Sequence, residues 1–194
     1  MKIIPLIISL LLTAAIANAA DDPIAPVQSD ERDKALIQSA FEGELAKVQG
    51  LVKKGASVEA TDLKSRTALM WAAANGHTPV VDFLLGQGAE INAMDSDGQT
   101  ALMYATTGSF VPTVDFLLAN GAGVDFQSKK SKFTALIIAA SGGNVEIVRL
   151  LLEHGADTNL AESGGDTPLD RARQYGHSDV VKLLEDESTP ANNS

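Results

Sequence analysis

The sequence predicts an all-α solenoid of about five helix-turn-helix repeats standing behind a cleavable export signal. Three observations predict it. Thr-Ala-Leu occurs at Thr67, Thr100 and Thr134 and Thr-Pro-Leu at Thr167, at spacings of 33, 34 and 33 residues. Gly-Ala recurs at Gly55, Gly88, Gly121 and Gly155, at spacings of 33, 33 and 34. Two unrelated markers holding one phase indicate a stacked array of identical supersecondary units. The third observation is the N-terminus, which reads as a targeting segment rather than as part of the fold.

Met1 and Lys2 give that segment a positive start, Ile3 to Ile16 an almost unbroken apolar run, and Ala17-Asn18-Ala19 a small-x-small end. This is the order of a secretory signal peptide, with cleavage expected after Ala19. A membrane anchor is the competing reading, but the run is short for a bilayer span and lacks a basic flank. Residues 20–33 carry Pro23, Pro26, Asp30 and Asp33 and read as a linker; 34–187 form the repeat domain; 188–194 read as a flexible tail.

Within each repeat the residues explain a helix pair. The Thr suits an N-cap, and Pro168 occupies the first helical position in the last repeat. Leu69, Leu102, Leu136 and Leu169 then face inward, with Ala72, Ala105, Ala139 and Ala172 three residues later on the same face. Gly76, Gly143 and Gly176 end the first helix in left-handed geometry. Pro79 and Pro112 fall in the first turn of the second helix, where a missing N–H costs little. Its inward residues are Val80, Val81 and Leu84, then Val114, Leu117 and Leu118, then Ile147, Val148 and Leu151. Polar turns such as Asp95-Ser96-Asp97-Gly98 lead to the next Thr. The first repeat lacks the Thr cap, and the fifth ends in Glu185-Asp186-Glu187, as polar capping repeats would.

Composition narrows the function. Of 194 residues 45% are apolar, enough for a core, and the formal net charge is −10. That charge repels polyanions and anionic membranes, so neither nucleic acid nor, after signal cleavage, a membrane is an expected partner. There is no cysteine, which excludes disulfides, thiolate metal sites and a cysteine nucleophile. His77 and His177 fill one repeat slot and His154 precedes Gly155, so all three are expected to be structural; none has a metal-ligand partner at i+4. No G-x-S-x-G, H-E-x-x-H or phosphate-binding glycine loop occurs. No catalytic residue, metal or cofactor is expected, and the protein is expected not to be an enzyme.

From Lys34 to Glu187 the residues resemble the ankyrin repeat, whose pattern is T-P-L-H, A-A, G-H, V-V, L-L-L, G-A-D and N; the match is close over Thr67–Asn92 and Thr134–Asn159. The resemblance implies stacked helix pairs with projecting turns, and a partner protein bound by the concave face and turn tips. The family's His after Thr-Pro-Leu is replaced by Met70, Met103, Ile137 and Asp170, which implies less rigid turns. One extra residue lies between Gly121 and Thr134, in a segment carrying Lys129, Lys130 and Lys132.

Carried over position by position, the protein-binding candidates are Arg66, Asn75, Met94, Asp97, Gln99, Lys130, Phe133, Gln174 and Tyr175. Met94, Phe133 and Tyr175 are candidate anchors as large apolar residues at exposed slots, since buried aromatic and Arg residues often dominate binding energy; ordinary scattered surface apolarity is the alternative. Trp71, Tyr104 and Ile138 share one slot and are expected to pack in the core. The function implied is a monomeric, periplasmic or secreted protein-interaction module. Exported relatives suggest oxidative-stress defence as one setting. A secreted effector, a toxin-immunity factor, and a ligand-binding or enzymatic protein remain the alternatives.

Overall fold

A computed structural model describes residues 31–188. The expected signal peptide, most of the linker and the tail beyond Ser188 lie outside the described residues. Among those described there are ten helices and no strand, apart from an isolated bridge between Thr61 and Thr67. They pair as α1 (Glu31–Glu42) with α2 (Leu45–Lys53), α3 (Ala68–Ala74) with α4 (Thr78–Gly86), and α5 (Ala101–Thr107) with α6 (Val111–Ala119). The last two pairs are α7 (Ala135–Gly142) with α8 (Val145–Glu153) and α9 (Pro168–Tyr175) with α10 (Ser178–Ser188). The five expected repeats are these five pairs. The first helix begins at Glu31, so Glu31–Asp33, expected as linker, are its opening turn.

The Thr residues cap as their spacing requires. Thr67, Thr100, Thr134 and Thr167 accept the N–H of Met70, Met103, Ile137 and Asp170 through Oγ1, at 3.3, 3.4, 3.1 and 3.3 Å. Each such cap contributes about 1 kcal/mol. Leu69, Leu102 and Leu136 are buried, as are all nine second-helix residues expected to face inward. Leu169 is only half-buried, because no sixth repeat covers the terminal pair. Each fully buried Val or Leu contributes about 1.5–3 kcal/mol, and the buried residues run as one spine from Leu36 to Leu184.

Curvature follows from side-chain size. The interior first helices carry Ala68, Ala72, Ala101, Ala105, Ala135 and Ala139, all at most 2% exposed, and approach one another closely. The second helices carry Val, Leu and Phe and are held further apart. The first helices therefore line the inner, concave side of the stack.

Successive turns are bonded to each other through the main chain. The N–H of Ser96 donates to the Lys64 carbonyl, that of Lys129 to Asp97, and that of Ser163 to Ser131, at 2.9, 2.8 and 2.9 Å. The family histidine is absent after Thr-Pro-Leu, yet the turns are tied; the expectation of looser turns is corrected by these backbone bonds. On the opposite edge, side-chain oxygens of Asp33, Glu59, Asn92 and Asp125 accept the N–H of Ser57, Glu90, Gly123 and Asp157 one repeat later.

His77 and His177 are structural. His77 Nε2 lies 3.0 Å from the Phe41 carbonyl and His177 Nε2 lies 3.0 Å from that of Ser141, each reaching back one repeat. The ring of His77 fills the space beside Gly43, where a Cβ would fall 2.5 Å from Nδ1; a glycine is needed there for that packing. Phe110 takes the same slot in the third repeat and packs beside Gly76.

Candidate functional site

The inner face is built from four aligned rows. The residue four after each capping Thr is Trp71, Tyr104, Ile138 and Arg171, and the residue just before it is Arg66, Gln99, Phe133 and Asp166. Each turn begins with a polar residue, Asp62, Asp95, Ser128 and Glu162. Further along each first helix stand Asn75, Thr107, Ser141, Gln174 and Tyr175. The inter-turn bonds and buried spine hold these rows in register.

At the N-terminal end the row is closed by one carboxylate. Asp62 Oδ1 accepts the backbone N–H of Lys64 and Arg66 at 2.8 and 3.0 Å. Its Oδ2 accepts Arg66 Nε at 2.7 Å and Trp71 Nε1 at 3.3 Å, and pairs with Arg66 Nη2 at 2.7 Å. The guanidinium lies 4.2 Å above the Trp71 ring, and Phe41 meets that ring edge-on at 5.3 Å. The Arg66 side chain is 13% exposed. Asn75 donates its amide to the Trp71 carbonyl at 3.0 Å. Two predicted binding residues, Arg66 and Asn75, are thus gathered around Trp71 with their polar groups engaged within the fold.

One repeat on, Asp95 repeats the device. Its Oδ1 accepts the N–H of Asp97 and Gln99 at 2.9 and 2.8 Å, and its Oδ2 accepts the Tyr104 hydroxyl at 2.7 Å. Burial, reinforced by that hydrogen bond, pushes the Tyr104 hydroxyl far above its ordinary pKa, so it stays a donor. Gln99 is half-buried and Asp97 exposed. Met94, just before this turn, is 40% exposed, and Leu63 at the preceding tip is 53% exposed; they are the large apolar residues most open to solvent among those described. Trp71 is buried as expected of a core residue; Tyr104 is half-buried and packs against the core as expected, and Ile138 is half-buried.

The fourth turn changes chemistry. Ser128 replaces the acid and accepts the Phe133 N–H through Oγ at 3.0 Å. The turn is one residue longer, and Lys130 and Lys132 are exposed on it. In the fifth repeat the arginine stands in the Trp71 slot. Arg171 donates Nη1 to Gln174 Oε1 at 3.0 Å and Nη2 to the Tyr175 oxygen at 3.2 Å. Its guanidinium lies 5.7 Å from the Phe133 ring and 5.1 Å from the Tyr175 ring. Asp166 is no closer than 3.7 Å. The Glu162 carboxylate is engaged by the N–H groups of Gly164 and Asp166 in its own turn, which holds its pKa below the ordinary value.

The structure therefore brings Phe133, Gln174 and Tyr175 together, as the sequence could not show, and places Lys130 on the turn beside them. Arg171, which joins the three, was missed in the sequence. Its signal was present: it occupies the slot already noted for Trp71, Tyr104 and Ile138.

The family model for ankyrin repeats (3 copies) matches residues 36–129 and 108–193. The chain belongs to the ankyrin repeat family. Among curated relatives, this ankyrin chain is 47% identical over 49 residues to ankyrin repeat and SOCS box protein 14 of Homo sapiens, covering 25% of the chain and 8% of that protein. It is 41% identical over 58 residues to potassium channel AKT1 of Oryza sativa subsp. indica, covering 30% of the chain and 6% of the channel. It is 37% identical over 62 residues to protein phosphatase 1 regulatory subunit 12A of Mus musculus, covering 32% and 6%. The chain thus spans less than a tenth of the length of each of these three relatives. Such repeats suggest a protein–protein interaction module, and the family is generally a non-enzymatic scaffold. Among the described residues no helix is long and apolar enough to cross a membrane.

Proposed function

We propose that this protein is an exported, non-enzymatic scaffold that binds another protein through its concave face and turn tips. One observation carries the reading. Main-chain bonds between successive turns hold a continuous face whose chemistry changes from Asp97 and Gln99 through Met94 to Phe133, Lys130, Gln174 and Tyr175. A surface of fixed shape and mixed chemistry gives specificity at low ordering cost. Among the relatives, one is by its name a regulatory subunit, which accords with a role exercised through a partner.

Export rests on the N-terminal sequence, with Met1–Ala19 as the signal peptide and a monomer in the periplasm or outside the cell as the destination. Oxidative-stress defence is the setting to test first, by peroxide survival of a deletion strain. The direct test uses a photo-cross-linking residue at position 174 in intact cells, with position 149 on the outer helix α8 as control. A discrete adduct from position 174 and none from 149 is the expected result. Equal adducts from both, or none from either, would contradict the reading, and fractionation of the same cells checks the compartment.

A further inference from the structure

The C-terminal end of the concave face has an excess of hydrogen-bond donors. Arg171 uses two N–H groups on the oxygens of Gln174 and Tyr175. Those oxygens are thereby engaged as acceptors, while the Gln174 amide hydrogens and the Tyr175 hydroxyl hydrogen find no acceptor among the described residues. Arg171 Nε is likewise without a partner there. No acid closes this cluster as Asp62 closes that of Arg66: Glu162, which stands where Asp62 and Asp95 stand, serves its own turn, and Asp166 pairs with Arg171 Nη1 only at 3.7 Å, too long for a hydrogen bond. Lys130 and Lys132 are exposed on the adjacent turn, against a net charge of −10 for the chain. Two aromatic rings flank the guanidinium.

We propose that Arg171, Gln174 and Tyr175, flanked by Phe133, seat a carboxylate side chain of a partner polypeptide presented beside an apolar residue. The fork of Arg171 and the donors of Gln174 and Tyr175 meet the carboxylate oxygens, for which planar guanidinium geometry is suited. The Phe133 and Tyr175 rings cover the neighbouring apolar side chain, and the exposed lysines draw an acidic segment to this end of the stack. This rests on the scaffold reading and specifies its partner.

The test pans a random dodecapeptide library against the full chain. Selected peptides are then measured by fluorescence polarisation against wild type, Arg171→Gln, Arg171→Lys and, as an outer-face control, Arg149→Gln. Enrichment of Asp or Glu beside Leu or an aromatic residue is expected. Changing that acid to its amide, or Arg171→Gln, weakens binding about tenfold or more. Arg171→Lys, which keeps the charge without the fork, falls between; Arg149→Gln stays within about twofold of wild type. The acid-to-amide peptide needs no protein variant, so the outcome does not depend on how Arg171→Gln folds. Peptides selected without an acid, or bound equally by Arg171→Gln, overturn the carboxylate seat and leave the scaffold reading standing. A library that yields no binder counts against both.

Discussion

Two arginine–aromatic clusters stand at opposite ends of one concave face, and they are wired differently. Near the N-terminus Arg66 lies over Trp71 and is bound through two nitrogens to Asp62, whose other oxygen holds the turn. Near the C-terminus Arg171 lies near Phe133 and Tyr175, its hydrogen-bond partners are the neutral side chains of Gln174 and Tyr175, and its one ion pair, with Asp166, is long at 3.7 Å. The residue types are alike; the position of the acid differs. The acid that opens the second turn, Asp62, commits Arg66 to the fold. The acid that opens the fifth turn, Glu162, is engaged by its own turn, and Arg171 reaches an acid only at 3.7 Å, in Asp166.

The shared spine should make the two halves equal in their cores. Leu84→Ala and Leu151→Ala, each at a fully buried position, should both cost about 2–5 kcal/mol in chemical denaturation. A much smaller cost at either would show that half to be loosely packed. The clusters themselves should then separate the halves. Asp62→Ala strips Arg66 and Trp71 of their acceptor and frees two turn N–H groups, at a cost of about 2–4 kcal/mol. Glu162→Ala, at the corresponding position, should leave the melting temperature near wild type. Equal losses at the two would erase the distinction.

Smaller effects sharpen it. Phe133→Ala and Tyr175→Ala each remove a ring beside Arg171, with about 0.5–1 kcal/mol of cation–π attraction. They should weaken partner capture by more than they lower stability; unchanged capture removes both rings from the site. Ser65 adopts φ 60° in the second turn, where the third and fifth turns have Gly98 and Gly165 at φ 76° and 94°. Ser65→Gly should therefore raise stability by up to about 1 kcal/mol by relieving left-handed strain, read as a higher denaturation midpoint.

Protonation gives the smallest expected effect. The Thr167 hydroxyl and N–H donate to Asp170 and hold its carboxyl below the ordinary value of 3.8. A depressed folded value means the contribution is complete above pH 3.8 and is lost as pH falls through the folded value. Asp170→Asn should flatten the acid limb of the stability curve, and an unchanged limb would assign it to other carboxylates.

The period alone exposed the fold, because Thr caps, inward Leu and Ala, and helix-ending Gly recur in phase. The helix pairs and buried spine follow from those positions. The inter-turn bonds were not legible, since they join backbone groups that every sequence has. Nor was the fate of Arg66, because only the folded chain brings the Asp62 carboxylate to Lys64, Arg66 and Trp71 together. Arg171 was hidden by its setting in a capping repeat, where charge reads as a solvated end. Comparing slots rather than residues would have set it beside Trp71 and Tyr104. Phe133 and Tyr175 were picked out for size and register, but their common neighbour is a product of stacking.

The most direct measurement is the affinity of one bound partner, or one selected peptide, for Arg171→Gln compared with Arg66→Gln at matched folded fraction. If the Arg171 end of the face is where binding occurs, Arg171→Gln loses about tenfold or more while Arg66→Gln stays close to wild type. Losses of the same size at both positions, or a larger one at Arg66, would contradict that assignment.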